Sequence, residues 1–223
     1  MTHFFRSLLL AVVVAVCAGC SSTPPVPDWQ MNAHGALARS AAAYLAGNDR
    51  VEGAEFARAR EAIASSGRVD LLARAELTRC ATRVGSLVLA PCAGFEALRT
   101  DAPAAERAYA DYLAGRVSPA DMALLPPPHR ALANPGNSAT ADTGALRAIA
   151  DPLAQLAAAG VLFRTGRANP DVLAIAVDTA SAQGWRRPLL AWLGVQAQRA
   201  ERAGDAVALE RLRRRMALVQ GGP

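Results

Sequence analysis

Lysine is absent from the chain, and all 24 basic residues are arginine. The excess of arginine reads as the codon bias of a GC-rich genome. Its chemical consequence is exclusion: without lysine there is no phosphate-loop lysine, no Schiff base and no Ser-x-x-Lys nucleophile pair. Aromatic residues are also scarce, at 5% of 223 residues, and no Gly-x-Ser-x-Gly or His-Glu-x-x-His stretch occurs. Beyond the N-terminal Cys17-Ala18-Gly19-Cys20 no Cys-x-x-Cys is present, and His34 and His129 stand alone, so a zinc site is not expected. Val and Ile form no alternating pattern after the first segment, which argues against strands. The net charge of +5 is too thin for a nucleic-acid face, which needs dense basic residues and stacking aromatics.

Alanine and leucine dominate what remains, and both favour helix. The chain is long enough for one ordinary core, and an all-α protein is the expectation. A helix is expected from Trp29 to about Ala46 behind an Asp28 cap, and another from Asp49 to Ser65 after a Gly47-Asn48 turn. A third starts near Val69 with Ala73, Leu77, Cys80 and Val84 on one face. Asp101-Ala-Pro103, Ser118-Pro119, Asp151-Pro152 and Asn169-Pro170 pair a capping side chain with a first-turn proline. Pro126-Pro127-Pro128 reads as a helix stop, with His129 in the loop beyond it. Residues 134–143, "NPGNSATADT", read as a surface linker between N-terminal hairpins (29–133) and C-terminal helices (144–223) of the same body. Two long helices are expected at the end, Pro188 to Ala203 and Asp205 to Val219.

The N-terminus has a different character. Arg6 precedes a continuous apolar stretch from Leu8 to Val16. That is too short to cross a bilayer, which takes about 20 residues, and it fits the apolar part of a secretory signal. Cys17, Ala18, Gly19 and Cys20 follow. Ala15 to Ser22 resembles the lipobox of bacterial lipoproteins, with Cys17 standing where that family usually has leucine. The resemblance implies a signal peptide at 1–19 and lipidation of Cys20, with a diacylglycerol on Sγ and a third acyl chain on its amine. An ordinary signal peptide cut near Cys20, or lipidation of Cys17, are the alternatives. The non-acidic Ser21 and Ser22 imply sorting to the outer membrane. Residues 20–28 carry Pro24, Pro25 and Pro27, which favour an extended tether.

"YLAGNDRVEGAEFARAREAIASSG" resembles a tetratricopeptide-type helical hairpin: Gly47, Phe56 and Ala59 fall at the spacing of its turn glycine, aromatic and packing alanine. Glu52 takes a position that repeat usually gives to alanine. "YLAG" recurs at Tyr112, but the roughly 34-residue period is not kept. The expected architecture is therefore a set of irregular antiparallel helical hairpins. As a whole the chain resembles small uncharacterised proteobacterial lipoproteins of helical type, for which no activity is implied.

Export leaves Cys80 and Cys92 in an oxidising compartment. A disulfide between them is expected, closing a short loop turned by Gly85 and Pro91, and is worth roughly 3 kcal/mol on the loop-entropy model. Two separate buried thiols are the alternative, which a Cα separation well above about 7 Å would favour.

Glu52, Glu55, Glu61 and Glu76 share helices with Arg50, Arg58, Arg60 and Arg74, and read as solvated i,i+3 and i,i+4 pairs. Glu76 is bracketed by apolar residues, so a partner at Arg79 or Arg83 is expected. Arg211, Arg214 and Arg215 read as a cluster opposite the Leu212–Met216 stripe, facing solvent, anionic headgroups or an acidic partner. Trp29, Tyr44, Tyr112 and Trp185 are candidate contact residues. These readings converge on a non-enzymatic scaffold without cofactor or metal. The expectation is that it is held at the outer membrane, faces the periplasm and binds a cell-envelope protein. A peptidoglycan-acting enzyme would need paired carboxylates in a cleft, and a small-ligand binder an apolar cavity.

Overall fold

The computed structural model describes residues 25–221. The expected signal peptide, Cys17, Cys20 and the first part of the expected tether lie outside the described residues. Among the described residues the protein is all-helical: α1 (Asp28–Ala46), α2 (Asp49–Ala64), α3 (Val69–Gly85), α4 (Ala93–Glu96), α5 (Ala104–Leu113), a 3-10 segment (Pro119–Leu124), α6 (Pro127–Arg130), α7 (Ala139–Arg147), α8 (Pro152–Arg164), α9 (Pro170–Ala182), α10 (Arg186–Arg202) and α11 (Ala206–Gln220). None of these is long and apolar enough to cross a membrane.

The boundaries follow from local chemistry. Asn48, Ser118, Asp151, Asn169 and Asp205 each accept a hydrogen bond from a first-turn amide of the helix they precede. Two expected caps are corrected. Asp28 is the first helical residue of α1, because extended Pro27 occupies the cap position. Asp101 does not cap α5, because Pro103 stands outside the helix with ψ 159°. The 3-10 segment ends at Leu124, just before the proline run as expected, and Pro127 and Pro128 then open α6, where their missing amides would be unpaired in any case. The 134–143 linker is shorter than expected, because Ser138 caps α7 and the chain is helical from Ala139. Cys80 lies inside α3, which continues to Gly85.

The α1–α2 hairpin turns at Gly47, whose φ of +91° suits a residue without Cβ. Ala33 and Ala36 of α1 and Ala59 of α2 are buried small residues, and Ser40 Oγ donates across the pair to the Glu52 carbonyl at 3.1 Å. Phe56 and Ala59 are buried.

Helix α8 is central. Every residue from Leu156 to Leu162 is buried, the signature of a helix surrounded on all sides. Ala157 and Val161 face one apolar cluster with α3, α4 and α5; Leu156, Ala158, Ala159 and Leu162 face another with α7, α9 and α10. One helix thus joins both cores. Its crossing with α3 needs glycine on each side: a Cβ at Gly160 would collide with the Val84 carbonyl, and one at Gly85 would press on Leu156 and Ala157. Helix α10 closes the body. Trp192, fully buried, donates Nε1–H to the Gly85 carbonyl at 2.9 Å and meets Phe163 edge-on at 5.8 Å. Arg187 donates to the Tyr44 carbonyl at 2.7 Å, tying α10 to the end of α1.

Candidate binding cleft

Helix α5 directs Tyr109 and Tyr112 towards α6, where His129 packs against both rings at centroid separations of 5.3 and 5.0 Å. His129 is therefore not a loop residue. The proline-initiated turn of α6 delivers it inward, and it is 2% exposed. Its Nδ1 and the Tyr112 hydroxyl are buried without a hydrogen-bond partner among the described residues. Burial pushes the His129 imidazolium down to about 4, with Asp151 acting weakly the other way, and burial raises both tyrosine hydroxyls.

The sign of the resulting pH dependence is fixed. A histidine held neutral in the fold stabilises fully above its unfolded value near 6.5 and progressively less as pH falls towards about 4. The contribution at stake is about 3 kcal/mol. Urea titrations of the parent and of His129→Phe should diverge across this window, with the variant flatter; equal slopes would contradict a buried neutral imidazole.

On one side of this aromatic wall lies a cleft of about 350 Å³ between α3, α5 and the 3-10 segment. Leu77, Thr78, Ala105, Tyr109, Leu124, Leu125, Pro126 and Pro127 line it, and Leu124 is 41% exposed. Arg74, Glu106 and Arg130 form the rim. Arg74 binds Glu106 at 2.8 Å. Arg130 instead donates to the Leu125 carbonyl at 2.8 Å, and no carboxylate pairs with it among the described residues, which leaves the rim with an uncompensated positive charge. On the other side lies a more polar cleft of about 470 Å³, reached by Tyr112, Arg116, Thr165 and Arg167. Arg167 grips buried Asp142 through two nitrogens and also donates to the Leu132 carbonyl.

The carboxylates differ from the expected solvated pairs. Glu52, Glu55, Glu76 and Glu106 are all buried, and their arginines come mostly from other helices. Arg79 holds Glu52 at 2.6 and 3.1 Å, with Arg83 at 3.6 Å. Glu55 bonds Arg39 of α1 and Arg58 of its own helix. Glu76 pairs with Arg60 of α2, not with Arg79 or Arg83. Glu61 alone of the four sequence candidates stays exposed. Arg79 also stacks over Phe56 at 4.3 Å, and Arg187 over Tyr44 at 4.3 Å.

Cys80 and Cys92 form the expected disulfide, with Cα atoms 5.8 Å apart. It ties α3 to the start of α4, where Gly94 leaves room for the Glu76 carboxylate. The other expected contact residues scatter. Tyr44 and Tyr112 are 4% and 1% exposed and cannot act as surface anchors. Trp185 is half-buried against the second core, and Trp29 half-buried at the start of α1. Arg211 and Arg214 are exposed, but Arg215 turns back to donate to Ser181 of α9 at 3.2 Å, so the three do not form one cluster. Compared with protein-family models, curated proteins and solved structures, the chain matches none.

Proposed function

We propose that this protein is a lipid-anchored, non-catalytic helical adaptor of the bacterial envelope, and that the cleft beside Tyr109 seats a segment of a partner protein. In this reading acylated Cys20 attaches the chain to the outer membrane, the proline tether spaces it from the surface, and the helical body faces the periplasm. The observation that carries the reading is the cleft itself: an open apolar seat on rigid helices, with the charge of Arg130 at its edge. It suits an extended segment that offers one or two apolar side chains beside an acidic residue. The buried carboxylates support a non-catalytic role, since each is neutralised by arginine and framed by packing.

Capture from detergent-solubilised envelope tests the reading with four forms of the protein: parent, Cys20→Ala, Ala105→Trp and Arg130→Glu. Ala105 is exposed in the first turn of α5, so an indole there fills the cleft without entering the core. Blocking a seat worth roughly 1.5–3 kcal/mol of apolar burial should cut capture by about tenfold or more. Arg130→Glu should also weaken it, while Cys20→Ala should lose the acyl anchor yet retain partner binding. A partner held equally by Ala105→Trp, or no specific partner at all, contradicts the proposal.

A further inference from the structure

Helix α11 is the outermost element of the second half, and none of its residues is fully buried. It rests on the body through Leu212, Met216 and Val219, which pack against the second core. The opposite face follows from helical spacing: Val207, Arg211, Arg214 and Leu218 stand at i, i+4, i+7 and i+11. Val207 and Leu218 are 81% and 70% exposed, the highest values among the large apolar side chains of the described residues. The two arginines lie between them. Neighbouring Arg213 is compensated by Glu210 and Glu201, whereas no carboxylate pairs with Arg211 or Arg214 among the described residues.

We propose that this outer face of α11 is a contact surface for anionic phospholipid. Two aliphatic side chains flanking two uncompensated guanidiniums ask for a partner that is apolar and negatively charged across one plane. The boundary between headgroups and acyl chains has that character, and an amphipathic helix binds it lying flat. The face spans about 16 Å along the helix axis, with the guanidiniums placed to meet lipid phosphates bidentately. Such a contact would fix the body's orientation on the membrane, independently of what the cleft holds.

The test uses the full chain carrying Cys20→Ser, so that no acyl chain takes it to the bilayer. Flotation is measured with vesicles of phosphatidylcholine alone and of phosphatidylcholine mixed with phosphatidylglycerol, and backbone amide exchange is followed over residues 206–220. The N-terminal segment contributes equally to every variant. With ~1 kcal/mol for each arginine near an anionic surface, the preference for anionic vesicles attributable to α11 is about thirtyfold. Arg211→Glu/Arg214→Glu should abolish that preference, and Val207→Asp/Leu218→Asp should weaken binding to anionic vesicles. Both pairs are solvent-facing, so circular dichroism should show unchanged helix. Vesicle-induced slowing of exchange in residues 206–220 is expected for the parent alone. A preference unchanged by the charge reversal, or exchange in α11 indifferent to anionic vesicles, overturns the proposal.

Discussion

Trp192→Ala is expected to lower the unfolding free energy by about 3–5 kcal/mol, in the range of large aromatic deletions from packed cores. Trp192 is fully enclosed. Its ring fills the space against Phe163, and its Nε1–H satisfies the carbonyl of Gly85 at the last residue of α3. Removing the side chain leaves a cavity at the junction of α3, α8 and α10 and a buried acceptor without a donor. Trp192→Phe separates the two effects. It keeps much of the volume but loses the donor, so a smaller cost of about 1–3 kcal/mol is expected. Urea unfolding followed by circular dichroism, with the disulfide intact, provides the comparison. A loss below about 1 kcal/mol for the alanine variant would mean that α10 does not seat on the central helix as described.

Asp142→Asn is expected to cost a similar about 3–5 kcal/mol. The Asp142 side chain is 2% exposed and that of Arg167 18%, so the variant leaves a mostly buried guanidinium without its counter-charge. Asn137 and the Leu132 carbonyl belong to the same network, and the connection running from Ala131 to α7 should loosen with it. Replacing both partners by apolar residues of similar volume, Asp142→Leu/Arg167→Met, should recover most of the loss, because neither charge then has to be buried. If the double variant is no more stable than Asp142→Asn, the cost comes from packing around α7 and not from an unpaired charge.

How much of this was legible in the sequence depends on the range of the interaction. Ser118, Asp151 and Asn169 act on amides a few residues away, so their role as caps can be read directly; Asn48, which reads as part of a turn, caps over the same short range. Cys80 and Cys92 are close enough in sequence for a disulfide to be expected. Ser138 was also a local signal: a capping residue ahead of Thr143 and Leu146 at i,i+3 marks a helix inside the apparent linker. Glu52 offered a subtler one. A carboxylate where the hairpin pattern favours alanine needs a nearby cation, and Arg79 supplies it from the next helix. The cation for Glu76 could not be read the same way, because Arg79 lies three residues on and Arg60 sixteen residues back along the chain, so the local reading favours the wrong partner. The crossing of α2 and α3 selects Arg60.

The cleft lay beyond such reading. Tyr109, Leu77, Leu124 and Pro127 come from four elements, and nothing in their local spacing says that they meet. His129 follows three prolines that usually end a helix, so its burial depends on α6 being packed against α5 and α8.

The sequence alone determined that the described chain is helical, where most helices begin and which residues can form the disulfide, because hydrogen bonds within a few residues and the 3.6-residue period govern those features. It also carries the N-terminal pattern on which the anchoring proposal stands. Tertiary structure decided that α8 is shared by both cores, which arginine neutralises each buried acid, that His129 is held neutral between two tyrosines, and which face of α11 stays uncovered. These outcomes depend on helix crossings set by side-chain volume, above all the glycines at 85 and 160. A crossing brings together residues far apart in the chain, and no local pattern encodes that meeting.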